Sequence, residues 1–190
     1  MRMLNKYLLS IVLLIVQSLC LFACTPLPPA ETGSARSTAP WEGRLRDLFN
    51  DSIDPSAVGL TGISSSNAGG AVSARAEEAQ FIVRVRVATV TTEGAGKDLR
   101  YLITLRVIGD PIAGPRTPGD TIQISIGQDN PTFGIAKAKD MQLAGVQFIG
   151  FLREFNQLGT PVMHWHLARD GQDVLDAVRN VAVLSEVSED

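Results

Sequence analysis

The chain has 190 residues, of which 45% are hydrophobic and 19% are charged, and its formal net charge is −3. This length predicts a single domain. The mild acidity argues against nucleic acid as a partner, because neutralising phosphates requires a clustered excess of Lys and Arg.

The start of the chain has the pattern of a secretory signal peptide. Arg2 and Lys6 form a positively charged region, and an apolar run extends from Tyr7 to Leu21. This length and flanking charge are typical of a signal peptide. A membrane-spanning helix needs roughly 20 apolar residues, so an uncleaved anchor also agrees with the length of the run.

The apolar run ends in Leu21-Phe22-Ala23-Cys24, which resembles the lipobox of bacterial lipoproteins. The resemblance implies that residues 1–23 are a signal peptide removed by a dedicated peptidase, and that the Cys24 thiol carries a diacylglyceryl group. The lipid would anchor the mature chain in the cell envelope, and Thr25 in place of Asp favours the outer membrane. An uncleaved anchor and secretion with a free Cys24 remain open as alternatives.

Residues 24–40 predict a lipidated cysteine followed by a disordered tether. The stretch after Cys24 is rich in Pro, Ala, Ser and Thr and contains little to bury, which is typical of an extended linker. Such a segment can hold a domain away from a membrane surface.

Residues 41–77 predict a short helix followed by a Gly- and Ser-rich loop. The helix ends at Asp51–Pro55, and the loop covers Gly59–Gly70. We expect the apolar face of the helix to pack on the domain's own core rather than on a partner. That face consists of Trp41, Leu45, Leu48 and Phe49.

Residues 78–190 predict a β-rich domain with a C-terminal helix. Phe81–Val87 and Leu99–Ile108 alternate apolar and polar residues on either side of a Gly-containing turn, which predicts an antiparallel hairpin. Three more strands and an amphipathic helix follow. The strands cover Thr121–Gly127, Leu143–Leu152 and Val162–Ala168, and the helix carries Val174, Leu175, Val178, Val181 and Ala182 on one face.

These elements predict a mainly β fold: a small five-stranded antiparallel OB-like barrel or sandwich, with a short N-terminal helix and a C-terminal helix. The order of elements resembles the OB-like barrels of extracytoplasmic netrin-like modules. The resemblance covers about residues 78–168 and carries no motif from which a function follows.

Four arginines fall on the polar side of the predicted hairpin. Clustered guanidinium groups bind phosphate or carboxylate through paired hydrogen bonds, so we predict an anion- or partner-binding surface here. In an envelope protein the partner would be another envelope protein, a glycan or a lipid. The alternative is that these side chains serve solubility and edge protection. The four are Arg84, Arg86, Arg100 and Arg106.

His164 and His166 are the only histidines of the chain. On a strand both imidazoles point to the same side, with Cα atoms roughly 7 Å apart. They could form half of a zinc or copper site, with Asp170 or Asp173 as a third ligand. We favour the alternative, in which both are solvated side chains beside a buried Trp165 and the protein binds no cofactor besides its covalent lipid.

No enzyme motif is visible in the sequence. The chain has two cysteines, Cys20 in the leader and Cys24 at the lipid site, and no nucleophile elbow, phosphate-binding loop or zinc-protease helix. We therefore expect a non-catalytic, lipid-anchored binding or scaffold module for another envelope component. The alternatives are a metal-binding lipoprotein that uses His164 and His166, and a small envelope hydrolase with a spatially assembled site.

Overall fold

The computed structural model describes residues 39–60, 68–114 and 118–187. The predicted signal peptide, Cys24 and nearly all of the predicted tether lie outside these residues. Within the described part of the chain, no helix is both long enough and apolar enough to cross a membrane.

In the part of the chain that the structure describes, six strands form one curled, mixed sheet in the order β1-β6-β5-β2-β3-β4. Neighbouring strands are antiparallel except β1 and β6, which run parallel. The strands are β1 Ser52–Ile53, β2 Phe81–Glu93, β3 Arg100–Val107, β4 Thr121–Ile126, β5 Gln147–Gln157 and β6 Thr160–Arg169.

Four α-helices accompany the sheet in the described residues. Two short 3₁₀ helices, Pro55–Val58 and Gly96–Asp98, lie in the connections. The α-helices are α1 Gly43–Leu48, α2 Ala68–Glu78, α3 Phe133–Leu143 and α4 Gln172–Val187.

The inner face of the sheet, defined here as the face that carries Val83 and Val85, holds the larger core. Alternation along the strands directs their apolar side chains to this face, where α3 covers them with Ala136 and Leu143. The fully buried strand residues of this core include Val83, Val85, Ile103, Leu105, Ile126, Phe148 and Leu167.

The outer face, which carries Ile82 and Phe151, is only partly covered. Helices α1, α2 and α4 contribute Leu48, Val72 and Val178 to a second core over β5, β6 and the start of β2. Further along β2 and on β3 and β4 the outer face carries mainly polar side chains, many of them exposed. The sheet therefore presents an open polar surface next to its helix-covered part.

The mainly β class and the β2–β3 hairpin are confirmed. The predicted five-stranded antiparallel sheet is wrong, because the two-residue strand β1 adds a sixth, parallel strand beside β6. The strand predicted at Leu143–Leu152 begins only at Gln147, since α3 occupies the chain up to Leu143.

The region between the first helix and the hairpin also differs from the prediction. Residues 68–78 form α2 instead of the end of a loop, and residues 61–67 of the predicted loop lie outside the described part. The first helix packs on the core as expected, with Leu48 and Phe49 buried.

Candidate functional site

The hairpin of β2 and β3 brings all four predicted arginines to the outer face of the sheet. Arg86 lies directly opposite Arg106, and Glu93 lies opposite Arg100. A shift in register between Val87 and Thr89 marks a bulge that adds one residue to β2. The β2 residues opposite the outward-facing side chains of β3 therefore lie on the outer face both before and after this bulge.

Two of the four arginines have acidic partners. Arg84 Nε lies 2.9 Å from Asp170 Oδ2, in an ion pair without hydrogen-bond alignment. Arg100 donates to Glu93 Oε2 through Nη2 at 2.8 Å and through Nε at 3.1 Å. These two guanidinium groups are thus already neutralised within the domain.

Arg86 and Arg106 are both exposed, and neither forms an ion pair or a side-chain hydrogen bond with another described residue. Like charges directly opposite each other on neighbouring strands destabilise a sheet. The pair therefore concentrates positive charge at a site where this domain supplies no counterion from its described residues.

The arginine pair is the centre of a polar row that crosses four strands. Gln147 of β5 lies opposite Arg86, and Thr121 of β4 lies opposite Arg106. The next row on the same face consists of Thr89, Thr104 and Gln123. The result is a surface of guanidinium, hydroxyl and amide groups, which we call the arginine face.

The two histidines of β6 share the outer face, as strand alternation predicts, but they are not solvated. His164 is 6% exposed and His166 is 8% exposed. The interpretation of solvated imidazoles is wrong, because α1 and its flanking residues cover this end of the sheet.

His164 is held on three sides. Its Nδ1 lies 2.8 Å from Asp51 Oδ2, and its Nε2 lies 2.7 Å from Gln157 Nε2. The Trp41 ring stacks on the imidazole with a centroid distance of 3.7 Å and an interplanar angle of 8°. With Gln157 donating to Nε2, the imidazole donates Nδ1–H to the Asp51 carboxylate.

Asp51 connects β1 to the edge of β6 through its backbone as well as its carboxylate. Its N–H donates to Trp165 O and its Oδ1 accepts from Trp165 N, both at 3.0 Å. The residue has φ of 54°, which Asp tolerates better than most side chains. Burial raises the pKa of the Asp51 carboxyl, although His164 and the Trp165 N–H act against this shift.

His166 lies in a separate polar contact two residues further along β6. Its Nδ1 is 2.9 Å from Ser52 Oγ, whose hydroxyl donates to Asn50 Oδ1 at 2.5 Å. Since the single hydroxyl proton points to Asn50, the imidazole must donate Nδ1–H to Ser52. In this arrangement His166 does not accept the Ser52 proton, as activation of a serine nucleophile would require.

The environment of His166 also disfavours its charged form. Burial, and secondly the positive charge of Arg75, lower the pKa of His166 to about 3. Arg75 itself is anchored through Nε to Leu48 O at 2.9 Å. His166 is therefore a neutral member of the interface between the sheet and helices α1 and α2.

The metal hypothesis for His164 and His166 stays a prediction. The proposed third ligands lie elsewhere: Asp170 pairs with Arg84, and Asp173 pairs with Arg169. In the described ranges no group of three His, Cys, Asp or Glu side chains is arranged to hold a metal ion.

Sequence reasoning missed Asp51, Ser52 and Trp41 as partners of the histidines. Asp51 and His164 are 113 positions apart, and strand β1 is too short to produce an alternation pattern. The one local signal was the position of Asp51 directly after the first predicted helix. The sequence alone explains this position as the end of that helix, not as a partner of a histidine.

Comparisons with protein-family models, with curated proteins and with solved structures found no match to this chain.

Proposed function

We propose that this chain is a lipid-anchored, non-catalytic binding module of the cell envelope. Its contact with another envelope component would be the arginine face, centred on Arg86 and Arg106. Cys24, in the lipobox-like end of the leader, would carry the lipid.

The main support for this proposal is that only two of the four arginines have acidic partners. Arg84 and Arg100 have acidic partners, whereas the directly opposed Arg86 and Arg106 have none among the described residues. A carboxylate or phosphate placed between the two guanidinium groups would remove their mutual repulsion and accept paired hydrogen bonds from each. Anion binding would thus stabilise a site that is unfavourable without a ligand.

The form of the arginine face favours a macromolecular partner. The face is an open sheet surface, flanked by exposed Thr and Gln side chains, whereas sites for small molecules are usually concave and largely apolar. Polar, solvent-accessible groups of this kind are typical of interface rims and of weakly held partners. We propose an acidic surface of another envelope protein as the ligand.

The predicted tether would make a weak contact effective. Since Ala39 and Pro40 already pair with Asn156 of β5, the remaining tether is residues 25–38, which could reach roughly 43 Å from the membrane at about 3.1 Å per residue. A lipid anchor confines the domain to this layer and so raises its concentration near partners in the same layer. Moderate affinity at the arginine face is then sufficient for docking.

The test is capture of partners from membranes of the native host with the tagged full chain. The double variant Arg86→Gln/Arg106→Gln should lose most of the acidic protein partners that the wild type retains. Arg100→Gln is the matched control, because it removes an exposed arginine of the same hairpin that already has a partner in Glu93. Its capture profile should equal that of the wild type.

Two results would contradict the proposal. Equal capture by the double variant and the wild type would show that the arginine face is not the contact. Capture of envelope glycans or lipids without any protein partner, lost in the double variant, would keep the face and replace the proposed ligand.

A further inference from the structure

The outer edge of β4 has no partner strand among the described residues. The six-stranded sheet ends at β1 on one side and at β4 on the other. Strand β1 has two residues, whereas β4 has six, Thr121–Ile126. Strand β4 is therefore the longer of the two terminal strands.

The direction of the free backbone groups follows from a single hydrogen bond. Val107 N donates to Asp120 O at 2.9 Å, in register with the β3–β4 ladder. In an antiparallel pair, residues alternate between bonding to the neighbouring strand and pointing away from it. Residues 122, 124 and 126 thus bond to β3, and Thr121, Gln123 and Ser125 direct their N–H and C=O groups outward.

This edge lacks the features that normally prevent strand addition. Exposed edges are usually protected by charged residues, proline or a bulge. The β4 sequence TIQISI contains no charged residue and no proline, and its register with β3 is unbroken. Thr121, Gln123 and Ser125 are all exposed.

We propose that β4 pairs antiparallel with β4 of a second copy of this chain, about a two-fold axis that passes through Gln123. This interaction goes beyond the proposed function and does not depend on it. In this register Thr121 lies opposite Ser125 of the partner subunit, and Gln123 lies opposite the partner's Gln123. The three outward-facing residues then form about six backbone hydrogen bonds, two in each bonded pair.

The register also matches side chains on both faces of the sheet. Ile122 lies opposite Ile124 of the partner subunit on the inner side, and hydroxyl and amide groups meet on the outer side. Because β4 is uncharged, bringing two copies together causes no like-charge repulsion along the strand. The strand is thus complementary to itself, which is the requirement for a two-fold interface.

The two-fold axis is perpendicular to the sheet, so both arginine faces would lie on the same side of the joined sheet. A second copy would therefore double the number of arginine pairs presented to one surface. Two linked contacts bind more tightly than one when the partner spans both.

The test places a charged residue at the proposed two-fold axis, in the full chain purified in detergent. Gln123 is exposed, so Gln123→Lys and Gln123→Glu should fold, which thermal unfolding of each variant verifies. Each homodimer would place like charges opposite each other, whereas a mixture of the two variants would place Lys opposite Glu. We expect the dissociation constant of each variant alone to rise by up to about fivefold, and that of the mixture to return to the wild-type range.

Sedimentation velocity over a concentration series gives the dissociation constants, and copurification of differently tagged variants detects the mixed dimer. Wild type that stays monomeric at every concentration would overturn the proposal, and so would variants that dimerise as well as the wild type. A mixture that fails to recover would exclude the axis at Gln123.

Discussion

Asp51 and His164 join the start of the domain to its last strand through a 2.8 Å contact between Asp51 Oδ2 and His164 Nδ1. The same carboxylate accepts the backbone N–H of Trp165, and Trp41 stacks on the imidazole. This arrangement holds β1 beside β6 and closes α1 over the outer face. These polar contacts supplement the apolar packing of Phe49 in the outer-face core.

We predict that Asp51→Asn destabilises the domain by about 1–3 kcal/mol, the usual cost of an unmatched buried polar group. Asn tolerates the positive φ of position 51, so the backbone should be unchanged. If its carbonyl stays on the Trp165 N–H, its amide faces the Nδ1–H of His164, and two donors meet. Urea unfolding measures the change. Asp47→Asn, an exposed position with the same change in charge, should stay within a few tenths of a kcal/mol of the wild type.

The parts of the fold that the sequence predicted are those with one buried and one exposed face. In β2 and β3, Val85 and Ile103 alternate with Arg86 and Thr104, so the period is visible in a single strand. Helix α3 was missed because only Ala136 and Leu143 of its residues are buried, which leaves no apolar stripe to detect. The predicted count of five strands was wrong because it omitted β1, a two-residue strand that is held by tertiary contacts rather than by a pattern in its own residues.

The sequence likewise predicted only part of the candidate site. The shared face of Arg84, Arg86, Arg100 and Arg106 follows from alternation and register and was predicted. Which arginines are neutralised was not predictable, because Asp170 reaches Arg84 from the far end of β6, two strands away. Burial of His164 and His166 depends on α1 and α2, whose positions on the sheet the local sequence does not encode.

We predict that His166 stays neutral down to about pH 4. Its folded pKa of about 3 lies below the ordinary value of 6.5, so between these values only the unfolded chain binds the proton. This residue's contribution to the free energy of unfolding therefore falls as pH decreases through that window, by up to about 1.4 kcal/mol per pH unit.

The raised pKa of Asp51 has the opposite effect on the free energy of unfolding. Just above pH 3.8 the folded state holds the proton of this carboxyl more tightly than the unfolded chain does, so its contribution to stability rises as pH decreases. Global stability alone does not separate the two groups, so the measurement is the NMR chemical shift of the His166 imidazole against pH. The shift should be flat from pH 7 to about 4 in the folded protein. It should titrate near 6.5 in urea. A folded-state titration near 6.5 would contradict the buried, neutral assignment.

We predict that Arg86→Gln raises the free energy of unfolding slightly at low ionic strength. The substitution removes the repulsion with Arg106, and it breaks no ion pair or side-chain hydrogen bond of Arg86 with another described residue. The gain should vanish near 1 M salt, where the Debye length is about 3 Å. Arg100→Gln, which removes an ion pair, should not stabilise the domain. Equal responses of the two variants to salt would show that the Arg86–Arg106 contact is not repulsive in solution.

We predict that the mature protein begins at Cys24 and carries lipid on that residue. Labelling cells with palmitate should mark the wild type and Cys20→Ser, since Cys20 lies in the predicted leader, but not Cys24→Ser. Intact-protein mass spectrometry of the wild type should give the chain from Cys24 plus its acyl groups. More than one acyl chain is needed for stable anchoring, because each buried CH₂ contributes only about 0.8 kcal/mol. A wild-type protein that is unlabelled and still contains residues 1–23 would instead be an uncleaved anchor.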